Sequence, residues 1–396
     1  MTSTVRVTST AAPARTLVLR AVGIFAVGRL ATLAWILGVG AHRGLPMSQT
    51  IGYWDGLWYI QAAKGGWPSI APNMPPETIG QDTTAFFPGY PLLIRFVHLA
   101  GFSWPASALA ATLLAGAVAS AVIAVLVRSF APARVALLTV ALWALQPESF
   151  VLSVAFSEAL FTALAAATLV ALLRRRWVSA GLLAAAASAT RSVAAALTVA
   201  AVVAAALAWR RWRGSGRWRP WLAPLLSPVG VLAYFVFLRV RVGSWTAWFD
   251  VEQRGWHMHA DPGVSVVRNS IRSAHKTVKL FVHPHETLVP EGITPVVLVA
   301  ALVLAIVLWR MAAVPIEVRL YGVAFFLLLL VTGNSYASLP RLLVPAFPLL
   351  IPIAQWLSRR SIAVVTVVLA LSLAAACYLG VLWFDTIRLA THCCAP

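Results

Sequence analysis

The chain has 396 residues, of which 60% are hydrophobic and only 11% charged. A soluble domain carries about 25% charged residues, so this composition excludes a soluble enzyme, a disordered tail and a secreted disulfide scaffold. The net charge of +19 would point a soluble protein toward nucleic acid. Here the arginines stand in short clusters between apolar runs, without a nucleic-acid-binding module, and act as orientation signals.

The apolar runs approach the ~20 residues that a membrane-spanning helix needs. They predict an all-α polytopic membrane protein of about 11 (10–13) transmembrane helices, forming one integral-membrane domain over 1–396. A short cytoplasmic segment, 1–16, precedes the first run. No small-residue cleavage site follows a short apolar core, so this end reads as a retained signal-anchor. The predicted spans are 17–41, 106–128, 134–149, 151–173, 177–190, 192–209, 219–241, 294–311, 316–333, 340–357 and 361–384. The segment 86–101 is short, carries Pro88, Pro91 and Arg95, and reads as re-entrant or interfacial. The stretch 177–209 is long for one span and is interrupted at Thr190-Arg191, which predicts two half-length helices meeting there.

Alternate connections hold Arg128/Arg134, Arg174 to Arg176, Arg210 to Arg219, Arg310/Arg319 and Arg359/Arg360. With the N-terminus inside, all of these fall on the cytoplasmic side, as the positive-inside rule requires. Of the twelve acids, Glu317 is then inside, Glu158 lies within a span, and the other ten are outside. Two long extracytoplasmic loops, 42–85 and 242–293, carry most of them and are rich in Trp, Tyr and His. Loops of this length are functional or disordered, and their composition favours function.

The first outer loop contains Tyr53-Trp54-Asp55-Gly56-Leu57-Trp58-Tyr59. One reading is an interfacial helix anchored by its aromatic rings, with Asp55 as N-cap. Another makes Asp55 a carboxylate base at the lipid surface. Phe86-Phe87-Pro88-Gly89-Tyr90-Pro91 follows, where two prolines and a glycine re-aim the chain. Glu158, in Ser157-Glu158-Ala159-Leu160-Phe161, lies near mid-bilayer on the predicted span, where an ionised group costs at least ~2.5 kcal/mol unless paired or facing a cavity. Arg29 and Arg191 lie at comparable depth and are its candidate partners. Arg191, and Arg341 in Leu339-Pro340-Arg341-Leu342, stand where a chain break meets the membrane. A planar guanidinium there suits a phosphate, and snorkelling is the alternative. The second outer loop supplies Gln253, Trp256, His257, His259, His283 and His285. The two His-x-His pairs match no standard zinc spacing, so no metal is expected. Cys377, Cys393 and Cys394 form no metal or disulfide pattern, and the role of the Cys393-Cys394 pair is open.

In this order the motifs resemble the PIG-V-like mannosyltransferases, the GPI mannosyltransferase II family and its bacterial relatives, actinobacterial members among them. The resemblance runs from about residue 20 to 357 through Trp54-Asp55-Gly56, Phe86-Phe87-Pro88, Ser157-Glu158-Ala159, Thr190-Arg191, Gln253 with Trp256, and Arg341 with Phe347-Pro348. Gly89, where the family suggests leucine, and Ser192, where it suggests proline, depart from the pattern. The resemblance implies a glycosyltransferase C-type membrane enzyme whose donor is polyprenyl-phosphate mannose, with Asp55 as catalytic base.

An outer-face site suits a lipid-linked donor, because nucleotide sugars are cytoplasmic. Phosphate is a good leaving group, so one base suffices where glycoside hydrolysis needs two carboxylates. Asp55 takes the base role and Arg191 and Arg341 bind the donor phosphate. Trp54, Trp58, Tyr59, Tyr90, Glu158, Gln253, Trp256 and His257 are expected to line the site. The expected partners are the donor, a glycolipid or other cell-envelope acceptor, and the bilayer; a partner subunit is left open. No cofactor is required, and a divalent cation shared by Asp55 and an outer-loop acid is compatible with the scheme. The competing classes are a lipid-linked-sugar transporter or flippase and a non-catalytic membrane subunit. A transporter is marked by paired repeats and a polar path through the membrane; the sequence has no such repeat, and its acids gather at one face.

Overall fold

A computed structural model describes residues 14–52, 54–67, 82–211, 214–258, 261–282, 290–331 and 336–390. Every regular element among the described residues is helical. Helix α1 (Ala14–His42) leads into two short helices of the first long predicted loop, α2 (Met47–Ile51) and α3 (Asp55–Gly65). Next come α4 (Gly89–His98), α5 (Trp104–Arg128) and α6 (Ala133–Leu145). A 3-10 segment, Pro147–Ser153, leads to α7 (Glu158–Leu173), α8 (Trp177–Ser188) and α9 (Ala195–Arg211). Helices α10 (Leu222–Leu226) and α11 (Val229–Val242) precede the second loop, which holds α12 (Ala247–Gly255) and α13 (Val264–Val282). The chain closes with α14 (Thr294–Arg310), α15 (Ile316–Leu330), α16 (Leu339–Leu342), α17 (Ile351–Leu357) and α18 (Ile362–Ala390).

Each predicted apolar run has its helix, but fewer than 11 are full-length spans. Among the described residues four stretches can cross a membrane alone by length and hydropathy: α1, α5, Ser192–Arg211 and Ile362–Leu382. Three more are broken spans. Ala133–Leu145 and Pro147–Ser153 meet at 78°, Arg219–Leu226 and Val229–Val242 at 40°, and Tyr336–Leu342 and Phe347–Leu357 at 73°. The breaks hold prolines, among them Pro147, Pro228 and Pro345. Proline lacks the N–H that continues a helix and clashes with the preceding turn. α7, α8 and α14 are apolar but shorter, at 16, 12 and 17 residues. The long run 177–209 is indeed two helices, α8 and α9, with Arg191 at the break between them.

Broken backbone at membrane depth is tolerated only where protein satisfies the freed groups. Arg29 does this at the sharpest break. It is 2% exposed, donates to the carbonyls of Ala144 and Ser149, and reaches Ser149 Oγ at 3.1 Å and Ser153 Oγ at 3.0 Å. Arg29 is therefore a cap for the α6 end rather than a partner of Glu158. Around it, α5 packs along α7 through alanine-rich buried faces, since small side chains let backbones approach closely in lipid. At the arginine-rich end, Arg134 donates to the carbonyl of Arg360 at 2.8 Å, so two of the predicted cytoplasmic connections meet.

Replacing Arg29 with alanine strands two buried carbonyls, each worth about 1–3 kcal/mol. The Arg29→Ala protein is expected to melt well below wild type in detergent, as read by a thermal unfolding scan.

Candidate active site

The site begins with the local geometry of the Trp54-Asp55-Gly56 motif. Trp54 is the N-cap of α3, with φ at +52° and no capping side-chain bond. Asp55 is the first helical residue and not the cap, so its carboxylate is free to point elsewhere. The left-handed region costs a bulky residue of order 1–3 kcal/mol unless surrounding contacts impose it. The neighbouring contacts are tight. A Cβ at Gly56 would stand 3.2 Å from the Ala155 carbonyl oxygen, and the Ala155 N–H donates to the Ile51 carbonyl at 3.1 Å. Glycine lets the first turn of α3 rest against Val154–Phe156.

That seating joins Asp55 to a residue from the far end of the chain. Arg341 Nη1 donates to Asp55 Oδ2 at 2.8 Å, with 11% of the Arg341 side chain and 21% of that of Asp55 exposed. The Arg341 guanidinium also stands 5.0 Å from the Phe156 ring centroid. A second ion pair lies on the same chain segment. Arg191 Nη1 donates to Glu158 Oε1 at 3.0 Å and to Ser157 Oγ at 3.0 Å, and Ser157 Oγ is 2.8 Å from the Tyr59 hydroxyl. Glu158 is fully buried, but it opens α7 and does not lie in the middle of a helix. The 3-10 turn and bend before it delay the helix to Glu158. Its carboxylate thereby gains the partial positive charge of a helix N-terminus. Both predicted phosphate ligands are thus engaged by carboxylates, because a buried cation without a counter-charge is strongly unfavourable.

Aromatic rings wall this cluster. Trp58 stacks on Phe86 at 6.3 Å and meets Trp256 edge-on at 5.9 Å; Phe86 and Trp256 are 5.7 Å apart. Tyr59 packs on Phe86 and Tyr90 at 4.8 and 5.0 Å. Tyr90 itself is fully buried, and its hydroxyl contacts the Ala108 carbonyl and Thr112. It supports Tyr59 from behind and does not line the site. Trp54 is half-buried against the main core. Buried polar atoms without a hydrogen-bond partner include Glu158 Oε2, Glu148 Oε2 and Trp256 Nε1. Glu148 feels the charge of Arg341.

Helix α12 divides its predicted residues. Gln253 and His257 are exposed, and His257 has φ at +53°. Trp256 joins the cluster, and so does Glu252, which the sequence reading placed only among the outer-face acids. Residues four apart share a helix face, so an acid one turn before Trp256 was the available signal. Desolvation raises the Glu252 pKa to about 8; the negative charge of Asp55 adds to this and Arg191 opposes it. Gly89 has a packing reason for departing from leucine. Its N–H donates to the Ala189 carbonyl at 2.7 Å, and a Cβ there would stand 2.4 Å from Thr190 Oγ1. The start of α4 is pressed against the segment that carries Arg191.

Among the described residues no three of His, Cys, Asp and Glu are grouped as metal ligands. Tyr53, His259, His283, His285, Cys393, Cys394 and the segments 1–13 and 68–81 lie outside the described residues.

No family model matches the chain, and no curated protein sequence matches it. Among solved structures, it is similar to that of ArnT from Cupriavidus metallidurans bound to undecaprenyl phosphate, with a TM-score of 0.47 and 18% identity. The likeness covers 77% of this chain and 54% of that one, so this chain spans about half the length of that protein.

The Glu252 carboxyl yields a pH prediction. It ionises near 4.5 in the unfolded chain and near 8 in the fold. Between those values the folded state holds more protons, so stability falls as pH rises. Thermal midpoints are expected to decline from pH 5 to 8, with a shallower decline in Glu252→Gln.

Proposed function

We propose that this protein is a PIG-V-like, glycosyltransferase C-type mannosyltransferase, taking mannose from polyprenyl-phosphate mannose and passing it to a glycolipid or other cell-envelope acceptor on the extracytoplasmic face. The observation that carries the reading is the Asp55–Arg341 contact at 2.8 Å. It joins a base to a phosphate-binding group beside a second guanidinium and an aromatic wall. The ordered motifs named above support the family and, through it, the sugar.

The acceptor hydroxyl attacks the anomeric carbon as the bond from that carbon to the phosphate oxygen breaks. The electron pair leaves with polyprenyl phosphate, and the hydroxyl proton passes to Asp55. A single displacement inverts the anomeric centre, so a β-linked donor gives an α-linked product. Negative charge growing on the phosphate is met by Arg341 and Arg191, fixed cations in a site of low dielectric. In this scheme Arg341 exchanges Asp55 for the phosphate, which frees Asp55 to accept the acceptor proton. Glu158 keeps Arg191 in place through the exchange, and Ser157 and Tyr59 hold that pair from the side of α3. The rings of Trp58, Phe86 and Trp256 offer apolar faces for the sugar. The chain's own carboxylate and guanidinium groups supply each role, and a divalent cation remains compatible with the scheme.

The test is transfer of radiolabelled mannose from synthetic polyprenyl-phosphate mannose in membranes lacking endogenous activity, with product linkage analysed. Wild type is expected to transfer with inversion. A positioned general base contributes about 10²–10⁴-fold, so Asp55→Asn at equal expression is expected to lose activity by that order. Equal transfer by the two proteins would remove Asp55 from the mechanism.

A further inference from the structure

The bundle end opposite the ion pairs carries a second feature that the proposed reaction does not use. α7 opens at Glu158 and ends at Leu173, so Arg174 lies about 24 Å from Glu158 at 1.5 Å per residue. Beside it runs an open crevice of about 320 Å³ between α1, α5, α7 and α8. Its walls are small and apolar, with Val18, Ala121, Val122, Ala167 and Leu183 among them. Arg174, Arg176 and Ser179 stand at one end. All three are exposed, and among the described residues neither guanidinium pairs with a carboxylate.

The turn that presents these arginines is built at an energetic disadvantage. α7 ends in a Schellman motif: the Arg176 N–H donates to the Ala171 carbonyl at 2.9 Å and the Arg175 N–H to the Leu172 carbonyl at 2.9 Å. Its left-handed position is filled at φ +54° by Arg175. Glycine is the usual occupant there, and a residue with a Cβ loses roughly 1–2 kcal/mol. Three consecutive cations are therefore kept on a turn that one glycine would relax.

We propose that this crevice seats an anionic phospholipid of the leaflet on the arginine side. One acyl chain lies along the alanine and valine wall, and the phosphate rests on Arg174 and Arg176 with Ser179 as a further donor. The chemistry selects this occupant. A free phosphate has no use for the apolar wall, and a zwitterionic lipid gains less from two guanidinium groups that meet no carboxylate among the described residues. Basic pockets between membrane helices hold acidic headgroups in this way. Arg174 and Arg176 then have a ligand as well as a topological role.

The experiment uses the purified full chain in neutral detergent. Phosphatidylglycerol, phosphatidylcholine or inorganic phosphate is added, and bound lipid is counted by native mass spectrometry alongside the thermal midpoint. Arg174→Gln/Arg176→Gln removes the charges from an exposed turn, Ala167→Leu fills the crevice with the charges intact, and Arg210→Gln is a control from another connection. Phosphatidylglycerol is expected to stay bound to wild type and to Arg210→Gln and to raise their midpoints, with apparent affinity falling about tenfold in each of the other two proteins. Equal retention of phosphatidylcholine, an equal midpoint shift with inorganic phosphate, or undiminished binding by Ala167→Leu would overturn the seat as proposed. So would an equal loss in Arg210→Gln, which would reduce the effect to net charge.

Discussion

A charge inside an apolar bundle must have a partner, and this requirement organises the described part of the structure. The chain is 60% hydrophobic and holds twelve carboxylates, yet two of them meet guanidinium groups in one small region, at 2.8 and 3.0 Å. Desolvating either charge alone is far costlier than keeping the pair together, because the low-dielectric interior magnifies both the penalty and the attraction. Arg29 obeys the same rule with a different partner set, four oxygens of the α6 end. It holds a break in place, whereas Arg191 and Arg341 hold carboxylates.

The breaks and the charges depend on each other. An unbroken helix presents no backbone ends in the bundle. A helix stopped by proline leaves unpaired N–H and C=O groups, and those termini are where charge is stabilised. Asp55 and Glu158 each open a helix, Arg191 precedes the 3-10 turn Ser192–Ala194, and Arg341 lies in the short α16. The site is assembled from helix beginnings and interruptions. The proposed reaction exploits this, since an ion pair between a base and a cation is the resting arrangement that an incoming phosphate can exchange. At the opposite end the arginine turn after α7 is exposed and has no carboxylate partner among the described residues, and the crevice beside it gives those charges a separate use.

The helical class and the placement of the apolar runs were legible in the sequence, since an apolar run leaves little alternative to a helix in lipid. The break at Thr190-Arg191 was legible because an arginine cannot sit unmarked in the middle of a long alanine run. The start of α7 was not. Residues 151–157 are apolar enough to continue a span, and only the 3-10 geometry after Pro147 moves the helix start to Glu158. Chemistry-bearing residue types located Asp55, Glu158, Arg191 and Arg341, but their pairing is a tertiary fact. Nothing local to Arg341 names Asp55 as its partner. Tyr90 and Trp58 look alike as aromatics of the early motifs, yet one is packed away under the other's neighbour Tyr59. Around α12 a residue-type reading named Gln253, Trp256 and His257, while helical periodicity adds Glu252, one turn before Trp256.

The central claim is that Arg341 exchanges Asp55 for the phosphate of a lipid-linked donor. Binding of polyprenyl phosphate to the purified protein, measured for wild type, Asp55→Asn and Arg341→Gln, tests it most directly. Asp55→Asn removes the carboxylate that competes for Arg341, so the account predicts tighter binding than wild type, by about tenfold, or ~1.4 kcal/mol, and weaker binding by Arg341→Gln. Binding unchanged in Arg341→Gln, or weakened in Asp55→Asn, would contradict the exchange.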